Sequence, residues 1–160
     1  MKFSFGRKKD KEEIQSPYQG YLLPLEEVDD EMFANKVMGD GFAVEPTDGK
    51  VYAPVNGTIC VCFPTGHAIG ISMENGVEIL LHQGIDTVEL DGEGFQLHIQ
   101  EGDIVKQGQL LCTMDLDLIK KRGKQTTSMF VVTSGNAIEV TKLHQNVSYH
   151  ESGIITIHEN

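Results

Sequence analysis

Two histidines, His67 and His82, are the residues whose type and spacing could carry chemistry in this sequence. They lie on either side of a Met-Glu-Asn-Gly turn sequence at 73–76, and an Asn-Gly pair between strand-like runs is a strong signal for a β-hairpin. Counting outward from Asn75-Gly76, Gly66-His67 and His82–Gly84 lie at similar distances from the turn. The sequence therefore predicts that two imidazoles meet at one end of a sheet.

A pair of imidazoles suits phosphoryl transfer. A neutral imidazole, with an ordinary pKa of ~6.5, is a competent nucleophile toward a phosphoryl donor near neutral pH. The negative charge on the phosphorylated ring must then be offset locally. Because residues 51–105 contain no Lys or Arg, we expect that offset from the second imidazole and from backbone N–H groups around Gly84-Ile85-Asp86.

The same residues could instead hold a catalytic zinc ion. His82 and Asp86 form a His-x-x-x-Asp pattern, and His67 would supply a third ligand with the fourth position open. Glycine-rich β-lytic peptidases carry a similar His-x-Gly-x-Asp, but they also need a downstream His-x-His that this chain lacks. A zinc-dependent hydrolase is the alternative function. If neither function holds, the two histidines are hydrogen-bonded residues of the scaffold.

A swinging-arm carrier is excluded by a missing residue. The segments 53–57 and 102–110 resemble the turns of biotinyl and lipoyl domains, whose attachment lysine lies between them. This chain has no lysine between Gly57 and Gly102.

Short apolar runs separated by Gly, Pro and Asn surround the histidines, and this pattern predicts an all-β antiparallel sandwich or barrel-like fold. One or two short helices are expected. Asp29-Asp30 should cap a helix within EMFANKV, and Asp115–Gly123 has acids at its start, bases at its end and a terminal glycine.

With 160 residues, the chain has the length of one domain. Residues 1–16 are expected to be a flexible N-terminal tail, and residues 17–160 the folded domain. The sequence has no apolar run of the ~18 residues that span a bilayer and no signal-peptide pattern, which predicts a cytoplasmic protein. Phe3 and Phe5 beside basic residues predict at most weak contact between the tail and a membrane surface.

The formal net charge of −11 excludes nucleic acid as a partner and favours a partner with a basic face. The chain has three cysteines, which we expect to be free thiols that pack as small apolar residues. Cys60 and Cys62 are two residues apart in a strand-like run, so they are predicted to point to the same face of a sheet.

Several segments together resemble one family, the glucose-type enzyme IIA domain of the bacterial phosphoenolpyruvate-dependent sugar phosphotransferase system. The resemblance covers about residues 17–158, and the His-x-Gly-Ile-Asp-Thr signature is its most specific part. The segments that carry it are 39–46, 53–59, 65–67, 76–82, 84–90 and 92–95. It implies a cytosolic β-sandwich that accepts a phosphoryl group from phosphohistidine on HPr and passes it to a cysteine of enzyme IIB, for sugar uptake and phosphorylation.

The resemblance also implies roles for individual residues. His82 matches the phosphoacceptor, bonded through Nε2, and His67 matches the neighbour that hydrogen-bonds the phosphoryl group. Thr65 matches the residue that orients His67, and Asp86 matches a supporting acid. The positions expected to bind partners are Phe33, Val37, Met38, Phe63, Leu80, Gly84 and Val88.

Three further expectations follow from the resemblance. No cofactor is required, although some relatives bind zinc through the residues that match His67 and His82 when a regulated protein holds them. A monomer is expected, because the site must be open to two partners. Gln83 stands where many relatives have Phe, so docking contacts or the local dryness of the site are expected to differ.

Overall fold

A computed structural model describes residues 13–159 of the chain. Within these residues the chain forms thirteen β-strands and two short α-helices. Every strand pairing is antiparallel. The predicted fold class is therefore confirmed.

Eight strands form one large sheet. In chain order they are β1 (Gly20–Pro24), β2 (Asp40–Pro46), β4 (Gly57–Cys62), β5 (Ala68–Ser72), β6 (Glu78–Ile85), β8 (Ile104–Val105), β10 (Gln125–Val132) and β12 (Asn146–Val147). Their spatial order is β12-β1-β2-β10-β6-β5-β4-β8. The longest two, β6 and β10, are neighbours at the centre, so β6 is held on both sides.

Two smaller sheets complete the strands. Their strands are β3 (Lys50–Tyr52), β7 (Phe95–Leu97), β9 (Leu110–Met114), β11 (Ile138–Val140) and β13 (Ile155–Ile157). The three-stranded sheet has the order β3-β9-β7, and the two-stranded sheet pairs β11 with β13. Residues of both sheets pack into the main core beside residues of the large sheet, so the small sheets cover one of its faces.

Both predicted helix caps are confirmed. Asp30 caps α1 (Glu31–Ala34) by accepting from the backbone N–H of Met32, and Asp115 caps α2 (Leu116–Lys121) by accepting from that of Leu118. Helix α1 is a single turn, shorter than its sequence pattern predicts. No helix in the described part of the chain is long and apolar enough to cross a membrane.

The large sheet separates two apolar cores. Strand β10 shows the division by strict alternation, because Phe130 and Val132 face the main core while Met129 and Val131 face a smaller core on the other side. The smaller core is covered by the segment that includes α1, through Leu25, Val28 and Phe33. Side chains on this second face of β6 therefore lie next to α1.

The predicted tail boundary is wrong for residues 14–16. Ile14 is buried in the main core, and Ser16 is buried as well. The backbone N–H of Gln15 donates to the carbonyl of Pro54 at 3.1 Å. The packed chain therefore includes Ile14, and residues 1–12, with Phe3 and Phe5, lie outside the described residues.

The prediction that Cys60 and Cys62 share one face is also wrong. The pairing of β4 with β5 shifts register between Ile59 and Val61, so Cys60 is an extra residue in the ladder. Cys60 is exposed, whereas Cys62 packs against the main core. All three cysteines are free thiols, and Cys112 is buried as expected.

Candidate active site

The hairpin predicted around Asn75-Gly76 is formed by β5 and β6. Gly76 has a φ of 92°, and the side-chain oxygen of Asn75 accepts from the backbone N–H of Val77 at 3.1 Å. In the ladder that follows, Ala68 pairs with His82. The centroids of the His67 and His82 rings lie 5.4 Å apart, with the rings edge-on at 74°. The predicted meeting of two imidazoles is confirmed.

His67 reaches His82 because it lies just before β5. Strict alternation would place the side chain of residue 67 on the face of Ile69, opposite to that of His82. Gly66, at a φ of 80°, forms a turn in which its N–H donates to the carbonyl of Phe63 at 2.8 Å. The ring of His67 is therefore oriented by this turn rather than by the pleat of the sheet.

The orientation of His82 is set by its own backbone. Its Nδ1 lies 2.9 Å from the carbonyl oxygen of Gly84, two residues along the chain. Because a carbonyl can only accept, Nδ1 carries the proton, and in the neutral ring Nε2 keeps a free lone pair. Gly84 has a φ of 82°, and a Cβ there would lie 2.4 Å from Cγ2 of Thr87. Glycine at this position therefore places the carbonyl that fixes the ring.

The ring of His67 is held by side chains. Oγ1 of Thr65 lies 2.6 Å from its Nδ1, and the ring of Phe63 stacks on it at 5.2 Å and 7°. A hydroxyl can donate or accept. When Thr65 donates to Nδ1, the neutral ring has its proton on Nε2 and can donate from there to a ligand.

Burial keeps both rings neutral. It lowers the pKa of His82 to about 4, against smaller opposing effects of the Gly84 hydrogen bond and of Asp30 and Asp86. Burial also lowers the pKa of His67, which is 6% exposed. His82 keeps an accessible edge, and its ring packs against Phe33 of the smaller core. At neutral pH the site therefore presents two uncharged imidazoles.

Two carboxylates act electrostatically on His82. The expected acid, Asp86, is exposed at a φ of 60° and precedes the 3₁₀ turn Thr87–Leu90. Asp30 was expected only as a helix cap, yet it also raises the pKa of His82. Sequence gave no sign of this second effect, because it depends on α1 packing over β6.

Most of the apolar side chains expected to bind partners are at least partly accessible, and Phe63 stacks on the ring of His67. Val37, Phe63 and Val88 are 64%, 47% and 56% exposed, and Met38 and Leu80 are half-buried. Their role in partner binding stays a prediction. Phe33 is a correction, because it is 5% exposed and packs on the ring of His82 at 4.9 Å. It forms a wall of the site. We call the exposed and half-buried group the apolar collar: Val37, Met38, Phe63, Leu80 and Val88.

Gln83 does not contribute to this surface. Its side chain is fully buried and points to the main core, on the opposite face of β6 from His82. Gln83 therefore makes no direct docking contact, and a change in the local dryness of the site stays a prediction. Alternation alone could have predicted that Gln83 faces the core, because Leu81 and Gln83 share one face and Leu80 and His82 the other.

A zinc hydrolase site is not supported. It requires His67, His82 and Asp86 as three ligands of one ion, and the described residues contain no group of three His, Cys, Asp or Glu side chains that could hold a metal. The geometry at His67 and His82 is that of two imidazoles without a third ligand.

Comparison with known proteins agrees with this geometry. The family model for the EIIA 1 domain of the phosphoenolpyruvate-dependent sugar phosphotransferase system matches residues 12–138. The chain belongs to this family. This enzyme IIA domain is 48% identical over 137 residues to the glucose-specific EIICBA component of that system in Streptococcus pneumoniae serotype 4. The match covers 86% of the chain and 19% of the relative, so the chain spans about a fifth of that protein's length.

A solved enzyme IIA structure has the same fold as this chain. Glucose permease IIA from Mycoplasma capricolum matches with a TM-score of 0.84 and 37% identity, over 90% of this chain and 94% of that chain. Helicobacter pylori Csd3 matches at 11% identity and a TM-score of 0.45, over 85% of this chain and 31% of that chain. A likeness at that level carries no argument about function.

Proposed function

We propose that this enzyme IIA domain carries a phosphoryl group on Nε2 of His82, taking it from phosphohistidine on HPr and giving it to a cysteine of an enzyme IIB. The observation that supports this most directly is the hydrogen bond from Nδ1 of His82 to the carbonyl of Gly84. It leaves Nε2 as the nucleophilic nitrogen of a ring whose pKa of about 4 keeps it neutral at pH 7.

Uptake is a displacement at phosphorus. The lone pair of His82 Nε2 forms the new N–P bond as the N–P bond of the donor breaks, and that electron pair returns to the donor imidazole. Nδ1 of His82 keeps its proton and donates a hydrogen bond to the Gly84 carbonyl throughout. The onward step is the same displacement with a cysteine thiolate as nucleophile, and the electron pair returns to Nε2.

His67 stabilises the charge on the transferred group. Its ring lies 5.4 Å from that of His82, and Thr65 can hold its proton on Nε2. An N–H donor beside the phosphoryl oxygens offsets charge without fixing the group as strongly as a Lys or Arg ion pair would. Asp86 supports the site electrostatically.

The apolar collar fits the transient docking of two successive partners. A surface of exposed apolar side chains around a catalytic group is typical of an interaction site. HPr and enzyme IIB must each cover His82 in turn, so the collar must bind both and release both. We place the protein in the cytoplasm, where both partners would meet it as a monomer.

Zinc binding by the two imidazoles stays an expectation. Nε2 of His82 is free, and its Nδ1–H bond to a carbonyl is the outer-sphere contact that metal-bound histidines usually have. Two imidazoles leave two positions of a tetrahedral ion unfilled, so further ligands would have to come from a bound protein.

Replacement of the acceptor tests the proposal. In His82→Gln we expect no phosphorylated species after incubation with phosphoenolpyruvate, enzyme I and HPr, because the nucleophile is gone. Intact-mass measurement reads the result, and His98→Gln, which removes an exposed histidine outside the site, is the matched control. A surviving phosphorylated mass in His82→Gln would contradict the assignment.

A further inference from the structure

The amide of Gln83 is a buried polar group that the phosphoryl step does not use. It follows the acceptor histidine directly in β6, and its side chain is fully buried on the opposite face of the sheet. A buried amide is costly unless its donors and acceptor are all bonded. Its partners therefore show what it contributes to the fold.

All the partners of its Nε2 belong to the turn that carries His67. Nε2 lies 3.4 Å from the carbonyl oxygen of Gly66 and 3.4 Å from that of His67. The backbone N–H of Gln83 also donates to the carbonyl of His67, at 2.7 Å. One residue thus holds the main chain of His67 with both its backbone and its side chain.

The acceptor end of the amide is fixed by a tyrosine. The hydroxyl of Tyr18 donates to Oε1 of Gln83 at 2.5 Å, and it lies 3.2 Å from the carbonyl of Met129. Burial raises the pKa of Tyr18 well above its ordinary value, so the hydroxyl keeps its proton. Turning the amide over would set Oε1 against the carbonyls of Gly66 and His67, so its orientation is determined.

The remaining bonds of the turn are local. Gly66 N–H donates to Phe63 within the turn, and Phe63 N–H donates to Ala68 at 3.2 Å. These bonds shape the turn, and the pairing of Ala68 with His82 holds its C-terminal end against β6. Gln83 adds the contacts that hold the carbonyls of Gly66 and His67 themselves.

We infer that Gln83, held by Tyr18, is a positioning residue that fixes the peptide of His67 relative to His82. This inference rests on the proposed role of His67 in phosphoryl transfer. Displacing a charge-stabilising group by about 1 Å costs up to 10²-fold in rate. A shift of the 63–67 turn would move the imidazole of His67 and leave the acceptor ring, which is fixed by Gly84, in place.

The test uses Gln83→Met, which keeps the length of the side chain and removes its donors. We expect hydrogen exchange at the Gly66 amide to become at least about tenfold faster and the pKa of His67 to rise toward its ordinary value as the ring becomes exposed. Onward transfer to enzyme IIB should fall at least about tenfold, and uptake onto His82 should change less than about threefold.

A matched control separates positioning from loss of stability. Asn136 is another buried amide, and its Nδ2 donates to the carbonyl of His158 at 2.9 Å. It follows the end of β10 that pairs with Ile79, away from His67 and His82. Asn136→Leu should lower the unfolding midpoint in urea without changing Gly66 exchange or the transfer rate. The inference is overturned if Gln83→Met leaves both Gly66 exchange and the transfer rate at their wild-type values. It is also overturned if Gln83→Met slows transfer no more than an equally destabilised Asn136→Leu variant does.

Tyr18→Phe provides the second variant. It removes only the hydroxyl, so it should loosen the turn in the same direction by a smaller factor, about threefold. The double variant should be no worse than Gln83→Met, because Tyr18 acts through Gln83. Additive effects would overturn the proposed chain of contacts. If the wild-type chain takes up no phosphoryl group, the proposed function fails, whereas Gly66 exchange and the His67 titration still decide the positioning of the turn.

Discussion

His67 and His82 are the same side chain in neighbouring positions, but they are oriented by different parts of the protein. Nδ1 of His82 is bonded to a backbone carbonyl, whereas Nδ1 of His67 is bonded to the hydroxyl of Thr65. The carbonyl allows one tautomer only. The hydroxyl can accept or donate, so it is compatible with both tautomers of His67.

This difference explains how two neutral imidazoles can have different tasks. The proposed nucleophile, His82, must present the same lone pair every time, and the carbonyl of Gly84 ensures that. A ring that stabilises a group on arrival and releases it on departure benefits from a proton that can move between its nitrogens. Substitutions at the two rings and at the groups that hold them test this division.

Removing the second ring should separate uptake from delivery. In His67→Gln we expect uptake from phospho-HPr within about threefold of wild type, because the nucleophile and its orienting carbonyl remain. Onward transfer should fall about 100-fold or more, in the range that a positioned proton donor contributes. A reconstituted sugar-phosphorylation assay measures this loss. Undiminished sugar phosphorylation would show that the two rings do not have separate tasks.

Disturbing the backbone at Gly84 should affect His82 alone. Gly84→Ala places a Cβ at a positive φ and 2.4 Å from Cγ2 of Thr87, so the carbonyl must move. We expect a loss of about 1–3 kcal/mol in the free energy of unfolding and slower uptake.

Nitrogen NMR shifts of the His82 ring measure the change in tautomer. Gly102→Ala is the control, since Gly102 also has a positive φ of 95° but no heavy atom lies within 4 Å of its added Cβ. Equal effects on uptake in the two variants would mean that backbone strain, and not the carbonyl contact, is responsible.

Replacing the hydroxyl of Thr65 should affect the orientation of His67 alone. Thr65→Val keeps the shape of the side chain, and Thr65→Ser keeps the hydrogen bond to Nδ1. Removing the hydrogen bond between Thr65 and His67 should cost about 1.4 kcal/mol of stabilisation of the transferring group. Onward transfer should therefore slow about tenfold in the valine variant and little in the serine variant. Rapid-quench measurement of transfer to enzyme IIB compares the two. A serine variant as slow as the valine variant would argue against the hydroxyl.

The smallest effect concerns stability at low pH. Because the folded-state pKa of His82 is about 4 and the unfolded-state value is ~6.5, the unfolded chain binds more protons between these values. The contribution of His82 to the free energy of unfolding is therefore complete above pH 6.5 and is lost as the pH falls toward 4. Urea denaturation of wild type and His82→Gln at pH 7 and pH 5 measures it.

Carboxylates titrate in the same pH range. The contribution of His82 is therefore the difference between wild type and His82→Gln in the free energy of unfolding lost from pH 7 to pH 5. Wild type should lose more stability than His82→Gln between pH 7 and pH 5. The same comparison with His67→Gln should give a loss of the same sign, since burial lowers the pKa of His67 too. An equal pH dependence in wild type and His82→Gln would show that His82 is not held neutral by the fold.

Local signals predicted most of what positions the site. Asn75-Gly76 determined the hairpin, and Asp30 and Asp115 marked the helix starts, because each of these features depends on a few adjacent residues. The family signature located His67 and His82 within it. Counting outward from the turn placed both histidines at the same end of the hairpin, but the ring of His67 reaches His82 only because of the turn at Gly66, which counting does not show.

The features that sequence missed depend on contacts between distant segments. The extra residue at Cys60 reflects how β4 pairs with β5. Phe33 is covered because α1 packs over β6, and Ile14 is buried because the main core extends to the start of the described chain. Gln83 was missed although alternation placed it on the core face, because its position beside His82 suggested a surface role.

The hydrogen bond between His82 and Gly84 has a consequence for how this site can change over evolutionary time. Every residue type has the same main-chain oxygen, so no substitution can delete the group that selects the reactive nitrogen. Mutation can only displace that oxygen, through the torsion angles of residue 84 or through whatever packs beside it. The orientation of His82 is thus insulated from ordinary sequence drift, while that of His67, which depends on a side-chain hydroxyl, remains open to adjustment.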